Sequence, residues 1–175
     1  VAHGFYGVEN VRVVILYPDG KVSPLQEAQM TTLGGNIHPL KVDGNFDDCQ
    51  RLVKTMFKDE QLRSKVRITS ANSINLLRWL PQSFYYFYAY CQWKKQTGKM
   101  DPVVVVPSGN YGNLAAGMFA KRMGLPIKGF VAASNANDVV PEYLQTGQYR
   151  PRPSVRTVAN AMDVGDPSNF ERMMW

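Results

Sequence analysis

The sequence predicts an α/β protein: parallel sheets with flanking helices, arranged in three layers. Three observations carry that prediction. Short β-branched runs alternate with stretches of helical apolar spacing along most of the chain. Pro102 and Pro107 bracket four consecutive valines, an unbroken run expected of a central parallel strand covered on both faces. That run enters a glycine-rich turn, which opens directly into another helical stretch.

Taken in order, Val11-Arg12-Val13-Val14-Ile15-Leu16-Tyr17 reads as a buried strand, stopped by the turn signature Pro18-Asp19-Gly20. Ser23-Pro24 then opens a helix: serine suits the N-cap and proline the first helical position. Leu25, Ala28, Gln29 and Leu33 follow at helical spacing, and Gly34-Gly35 closes it. Residues 37–42 form a second strand. Phe46, Cys49, Val53, Met56 and Phe57 mark one face of a second helix. Val66-Arg67-Ile68-Thr69 is a third strand candidate.

From Asn75 to about Gln96 runs the longest helical stretch, dense in aromatics and apolar nearly all round, which predicts a helix buried between layers or at a subunit contact. Pro81 inside it predicts a kink or a local break. After the valine strand comes a helix through Leu114, Ala115, Met118, Phe119 and Met123. A strand over 127–133 and a short helix over 139–144 follow, and the remainder is rich in loops, including an ordered surface loop or flap over 148–154. The expected division is a small α/β domain over 1–74 and part of a larger α/β domain over 75–175.

Composition narrows the function. Apolar residues at 45% and charged residues at 19% place the chain among soluble globular proteins. No apolar stretch approaches the ~20 residues needed to span a bilayer. The N-terminus lacks the basic flank and apolar core of a signal peptide. Cys49 and Cys91, with His3 and His38, lack metal-ligand spacing and read as reduced thiols of a cytoplasmic protein. The net charge of +6 comes from scattered basic residues, which suits small anions as well as it suits nucleic acid. The expectation is no nucleic-acid partner, no membrane and no metal. The chain starts at Val1 without a methionine and stops at Met173-Met174-Trp175 in mid-pattern, so an internal fragment is expected.

Chemistry concentrates in Pro107-Ser108-Gly109-Asn110-Tyr111-Gly112-Asn113, between the valine strand and the next helix. Glycines there let successive backbone N–H groups converge, and the helix start adds unpaired donors at a positive dipole end. Such a nest suits a dianionic phosphate beyond the carboxyl end of a sheet. The spacing is neither Gly-x-Gly-x-x-Gly nor a P-loop. On the residues alone, a phosphate nest and a structural tight turn both stand.

The segment Ser108-Gly109-Asn110-Tyr111-Gly112-Asn113-Leu114-Ala115-Ala116-Gly117 resembles the Ser-Gly-Asn-Phe-Gly-Asn segment of threonine synthases, with tyrosine in place of phenylalanine. Further stretches match that family in the same order. These are Tyr17-Pro18-Asp19-Gly20-Lys21-Val22-Ser23 with Gln26-Glu27-Ala28-Gln29-Met30, and Ser73-Ile74-Asn75 leading into the aromatic helix. Val1-Ala2-His3-Gly4-Phe5 and Asn135-Ala136-Asn137-Asp138 also have counterparts.

The resemblance covers essentially the whole chain. It implies the tryptophan-synthase-β-like fold (fold type II) of enzymes that use pyridoxal 5′-phosphate (PLP). It also implies a lyase that converts O-phospho-L-homoserine and water to L-threonine and phosphate. Gly109, Asn110, Tyr111, Gly112 and Asn113 would bind the cofactor phosphate, with Asn75, Arg78 and Asn137 as weaker candidates for substrate contact. No catalytic residue is expected within the chain. The family's Schiff-base lysine lies in a Phe-Lys-Asp sequence, and Phe57-Lys58-Asp59 is present. Lys58, however, falls on the polar side of its helix, and the family places that lysine earlier than Val1. The fragment alone is therefore expected to be inactive, with self-association covering its cut surfaces. The rival readings are a sibling enzyme of threonine dehydratase or cysteine synthase type, a non-catalytic nucleotide- or phosphate-binding module, and a structural fragment whose loop binds nothing.

Overall fold

Strands β1 (Val13–Pro18) and β2 (Ile37–Val42) pair in parallel, with Val13 opposite Ile37 and Pro18 opposite Val42. In this computed structural model the chain is described over residues 1–73 and 75–174. Trp175 and Ile74, the middle residue of the Ser73–Asn75 motif, lie outside the described residues. Two units divide between Thr69 and Ser70.

The first unit begins with α1 (Ala2–Phe5). Helix α2 (Pro24–Thr31) connects β1 to β2. Its Ser23 cap accepts from the Gln26 N–H while the Gln26 side chain accepts from the Ser23 N–H, so two orphan donors are satisfied reciprocally. The same device starts α3 (Phe46–Lys58), here between Asn45 and Asp48. Tyr17, Ile37 and Cys49 supply its buried apolar residues. At the carboxyl ends of the strands, the Tyr17 hydroxyl donates to Glu27, and Lys41 pairs with both Asp19 and Glu27.

The expected third strand over 66–69 does not form. A short helix α4 (Glu60–Lys65), capped by Asp59, precedes it, and the Val66 N–H closes that helix on Leu62. Residues 67–69 then run without a ladder partner. Three β-branched residues in four positions are a weak strand signal once the preceding helix has claimed the first of them.

In the second unit, a 3-10 turn (Leu76–Arg78) leads into α5 (Trp79–Thr97). Pro81 neither kinks nor breaks α5, because it sits in the first turn, where its missing N–H has no carbonyl to meet. Nor is α5 buried all round. Ser83 and Tyr86 are buried, and Trp79, Phe87 and Tyr90 are partly so, but Leu80, Phe84, Tyr85 and Tyr88 are exposed. Strand β3 (Val103–Pro107), helix α6 (Gly112–Arg122) and strand β4 (Gly129–Ala133) form a parallel β-α-β unit, Val103 opposite Gly129. Helices α7 (Val139–Thr146) and α8 (Phe170–Met173) complete the unit.

The valine strand is covered on one face, not two. Val104 and Val106 turn toward the core formed by Tyr86, Leu114, Ala116, Ala120 and Ile127, whereas Val103 and Val105 are more than half exposed. Among the described residues β3 pairs with β4 alone, and nothing covers its outer face. The fold is therefore α/β with two parallel two-stranded sheets.

Removing the α3 cap by Asn45→Ala should cost about 1 kcal/mol, read as a lower urea midpoint. The Asn45 N–H, then Arg51, hold the Asp48 carboxyl below its usual range. Its contribution is thus present above the unfolded value of about 3.9 and lost as pH falls through the lower folded value. Helicity of the first unit should decline over that acid window, and Asp48→Ala should flatten the decline.

Candidate functional site

The turn from β3 into α6 is held at both ends. At its start the Ser108 N–H donates to Ala133 O on β4 (2.8 Å) and the Ser108 hydroxyl returns to Val106 O. At its end the Ala115 N–H donates to Tyr111 O (2.9 Å), the first turn of α6. Between them, the N–H groups of Gly109, Asn110, Tyr111, Gly112, Asn113 and Leu114 donate to no protein acceptor among the described residues. Four of these, Tyr111 to Leu114, are the orphan donors that any helix start leaves. The others come from the shape of the turn.

That shape depends on Tyr111, which adopts a left-handed backbone (φ 61°, ψ 11°) immediately before α6. A left-handed residue followed by right-handed ones makes consecutive N–H groups point into one concavity. Side chains brace the turn from outside. Tyr111 is buried, packs edge-on against Phe170 and shares a hydrogen bond with the Ser134 hydroxyl (2.9 Å). The Asn110 amide donates to Ser73 Oγ (2.7 Å) and its carbonyl accepts from the Ser168 hydroxyl (3.1 Å). The Tyr86 hydroxyl donates to Asn113, at both backbone and side-chain oxygens.

Both glycines of the turn are pressed by neighbours. A Cβ on Gly109 would stand 2.6 Å from Met162 Cα, and one on Gly112 would stand 3.1 Å from Ser73 Cβ and 3.3 Å from Asn169 Nδ2. No acidic side chain lies between residues 102 and 137. A concavity of converging N–H groups at a helix start is suited to a dianion such as a phosphate monoester.

The other expected site residues sit differently. The Asn75 side chain caps the 3-10 turn through Leu77 N–H and donates to Ser70 O. Arg78 Nη1 donates to Ala71 O (2.6 Å). Asn75, Arg78 and Asn110 are linked through the 70–73 segment, which Asn110 reaches at Ser73. The Asn137 side chain is engaged at both ends. Its amide donates to Asn135, Val155 O and Asp163, and its carbonyl accepts from the Val155 N–H (2.7 Å). Lys58 is exposed at the end of α3. No cluster of three metal-ligating side chains exists among the described residues, and no helix there is long and apolar enough to cross a membrane.

Sequence reading missed the tail. Met162, Ser168, Asn169 and Phe170 all touch the turn, and Asp163 gathers Asn135, Asn137 and Thr157 around one carboxylate. Only the clustering of small polar residues with one aromatic in Pro167-Ser168-Asn169-Phe170 could have drawn attention to it.

Comparison with known proteins gives a consistent picture. A family model described as "Pyridoxal-phosphate dependent enzyme" matches residues 6–174. Threonine synthase of Serratia marcescens is 55% identical over 173 residues, covering 99% of this chain and 40% of the relative. That of Escherichia coli is 54% identical with the same coverage. A crystal structure of threonine synthase from Escherichia coli superposes with a TM-score of 0.91 at 52% identity, over all of this chain and 42% of that one. A PLP-bound threonine synthase from Brucella melitensis gives 0.80 at 41% identity, over 99% and 37%. The chain thus spans about 40% of the length of the curated relatives it matches.

Two variants test this geometry. Gly109→Ala forces a Cβ onto backbone atoms of Met162 and should destabilise the second unit by about 1–3 kcal/mol. Tyr111→Phe removes only the bond to Ser134 and should cost about 1 kcal/mol. Burial raises both the Tyr111 and Tyr86 phenols above their ordinary value, so the unfolded chain ionises first. Their contribution is complete below pH of about 10 and lost as pH climbs toward the folded values. Tyr111→Phe should therefore reduce the alkaline fall in thermal midpoint.

Proposed function

This chain belongs to the family of pyridoxal-phosphate dependent enzymes, and from that premise we propose that it is the cofactor-phosphate portion of a threonine synthase. The proposed reaction converts O-phospho-L-homoserine and water to L-threonine and phosphate. One observation carries the reading: the consecutive N–H groups from Gly109 to Leu114 are free of protein acceptors, in a chain more than half identical to threonine synthases along nearly its whole length.

The residues present fit pyridoxal 5′-phosphate. Its phosphate would rest on the backbone of Gly109, Asn110, Tyr111, Gly112 and Asn113, where the α6 dipole and the run of N–H groups without protein acceptors favour an anion. Held there, the cofactor would supply an electron sink for chemistry at the substrate's carbon atoms. The chain's own part is positional. Bracing by Ser73, Tyr86, Ser134 and Ser168 fixes the donors before any ligand arrives, so none must be reorganised on binding.

For the substrate we assign Arg78 and Asn75. Arg78 uses one guanidinium nitrogen on Ala71 O, leaving the rest of its planar fork for an anionic group. Asn75 holds the segment that carries it. To Asn137 we assign the wall of the site, since its amide ties residues 155–163 to the loop after β4. The net charge of +6 favours an anionic substrate. We place the reaction in the cytoplasm, a setting that suits the two free thiols, Cys49 and Cys91.

The test is a titration of the purified 175-residue chain with inorganic phosphate and with pyridoxal 5′-phosphate, followed by amide shifts, alongside an assay for threonine. Shifts at 109–114 without threonine formation are expected. Saturable, selective binding of nucleotides at the same amides would favour a nucleotide-binding module instead. A folded loop that binds neither anion would overturn the phosphate reading, and threonine formation would overturn the expectation that this segment is inactive alone.

A further inference from the structure

Consecutive residues near the end of the chain touch consecutive residues of the turn. Ser168 donates to Asn110, the Phe170 ring packs on Tyr111, and Asn169 stands beside Gly112. Of these, Asn169 has no evident reason to be polar. It is fully buried (0% exposed), at the head of α8. Its carbonyl accepts from Arg172 only at 3.4 Å, and its amide nitrogen has no acceptor at all. Among the described residues the other buried side-chain donors without an acceptor are Gln50 Nε2, in the first unit, and Trp79 Nε1, at the start of α5. Of the three, only Asn169 Nδ2 stands at the turn, 3.3 Å from where a Cβ on Gly112 would be, so the missing side chain at 112 is what lets the amide pack so closely on it.

A buried donor without an acceptor weakens the fold that carries it. An aliphatic residue of the same size would pack there without that cost, yet asparagine occupies the position at the edge of a concavity already built from unpaired donors. We infer that Asn169 is a further anion-binding residue, whose side-chain amide donates, past Gly112, to the phosphate seated on the turn. This rests on the phosphate reading given above. It adds a donor from α8, in the tail of the chain, to the backbone donors of the β3–α6 turn, so the site would be closed by two segments separated by more than 50 residues.

The experiment compares the wild-type full chain with Asn169→Leu and Asn169→Asp. Dissociation constants for pyridoxal 5′-phosphate and for pyridoxal, which lacks the phosphate, come from fluorescence. Thermal midpoints are recorded without ligand. Asn169→Leu removes the donor at similar volume. It should leave the ligand-free midpoint unchanged or higher, weaken pyridoxal 5′-phosphate about tenfold, and leave pyridoxal unaffected. Asn169→Asp adds a negative charge and should weaken the phosphate form further.

Unchanged phosphate affinity in Asn169→Leu would overturn the inference. So would a large drop in its ligand-free midpoint, because the amide would then be serving the fold rather than the anion. Equal loss for pyridoxal and its phosphate would overturn it too. If the wild type itself binds the phosphate form no better than pyridoxal, the phosphate reading of the turn fails, an outcome distinct from failure at Asn169.

Discussion

Everything at the candidate site depends on the left-handed backbone of Tyr111. For a residue with a Cβ that conformation costs about 1–2 kcal/mol, and Asn or Gly would bear it more easily. Tyrosine holds it because its ring is locked. It is buried, edge-on to Phe170 and hydrogen-bonded to Ser134. Burial of a ring of that size contributes about 1.5–3 kcal/mol, enough to offset the strain. Were the ring released, the peptide could relax toward an ordinary helix start and the donors of residues 109–112 would no longer converge. A buried side chain thus shapes the backbone that lines the concavity.

The same logic runs outward from the turn. Phe170 can pin Tyr111 only if the tail is itself fixed, and the tail is fixed through polar contacts. Asp163 takes hydrogen bonds from Asn135, Asn137 and Thr157, while Arg152 pairs with Asp138 and Glu142. These tie the long segment after α7 back to the loop that follows β4. Because β4 is paired with β3, the loop, the tail and the β3–α6 turn share one frame. The exposed ion pairs of Arg152 add little stability individually. Their value is in register: a tail displaced by one residue would put Ser168, Asn169 and Phe170 against the wrong members of the turn.

Much of this frame was legible in the sequence, for physical reasons. Ser23-Pro24 starts a helix because capping acts locally, whereas that helix ends at Thr31, before the glycine pair at 34–35 that was expected to close it. The turn after the valines was legible because unpaired donors at a strand-to-helix junction follow from chain geometry alone. What failed depended on neighbours. Continuous valines suggested a strand covered twice, yet burial is decided by what packs on each face, and Val103 and Val105 face outward. The aromatics of α5 suggested a helix buried between layers or at a subunit contact, and within this chain Leu80, Phe84, Tyr85 and Tyr88 are exposed. Asn169 was invisible: a lone asparagine in a loop-rich tail carries no period, and its burial appears only once the tail is folded onto Gly112. Asn137 was singled out by motif, but its bonds to Val155 and Asp163, which tie the tail to the loop after β4, appear only in the folded chain.

A structural turn and a site awaiting a ligand can be told apart by where they leave their polar groups. A turn whose work is only to connect β3 to α6 would satisfy its donors, since each buried orphan costs about 1–3 kcal/mol. The means were at hand. A serine, aspartate or asparagine at the N-cap would have accepted from the first turn of the helix, as Ser23, Asn45 and Asp59 do elsewhere in this chain. At α6 the N-cap is Tyr111, which accepts nothing there, and the residues on either side, Asn110 and Asn113, direct their side chains to Ser73, Ser168 and Tyr86. Polar side chains are present at the turn, yet none accepts from its backbone N–H groups. Strain at Tyr111, uncapped donors in α6 and an unpaired amide at Asn169 fall within one small region, although α5 and α7 also begin without a side-chain cap. That distribution is expected where the missing acceptor arrives from outside the chain.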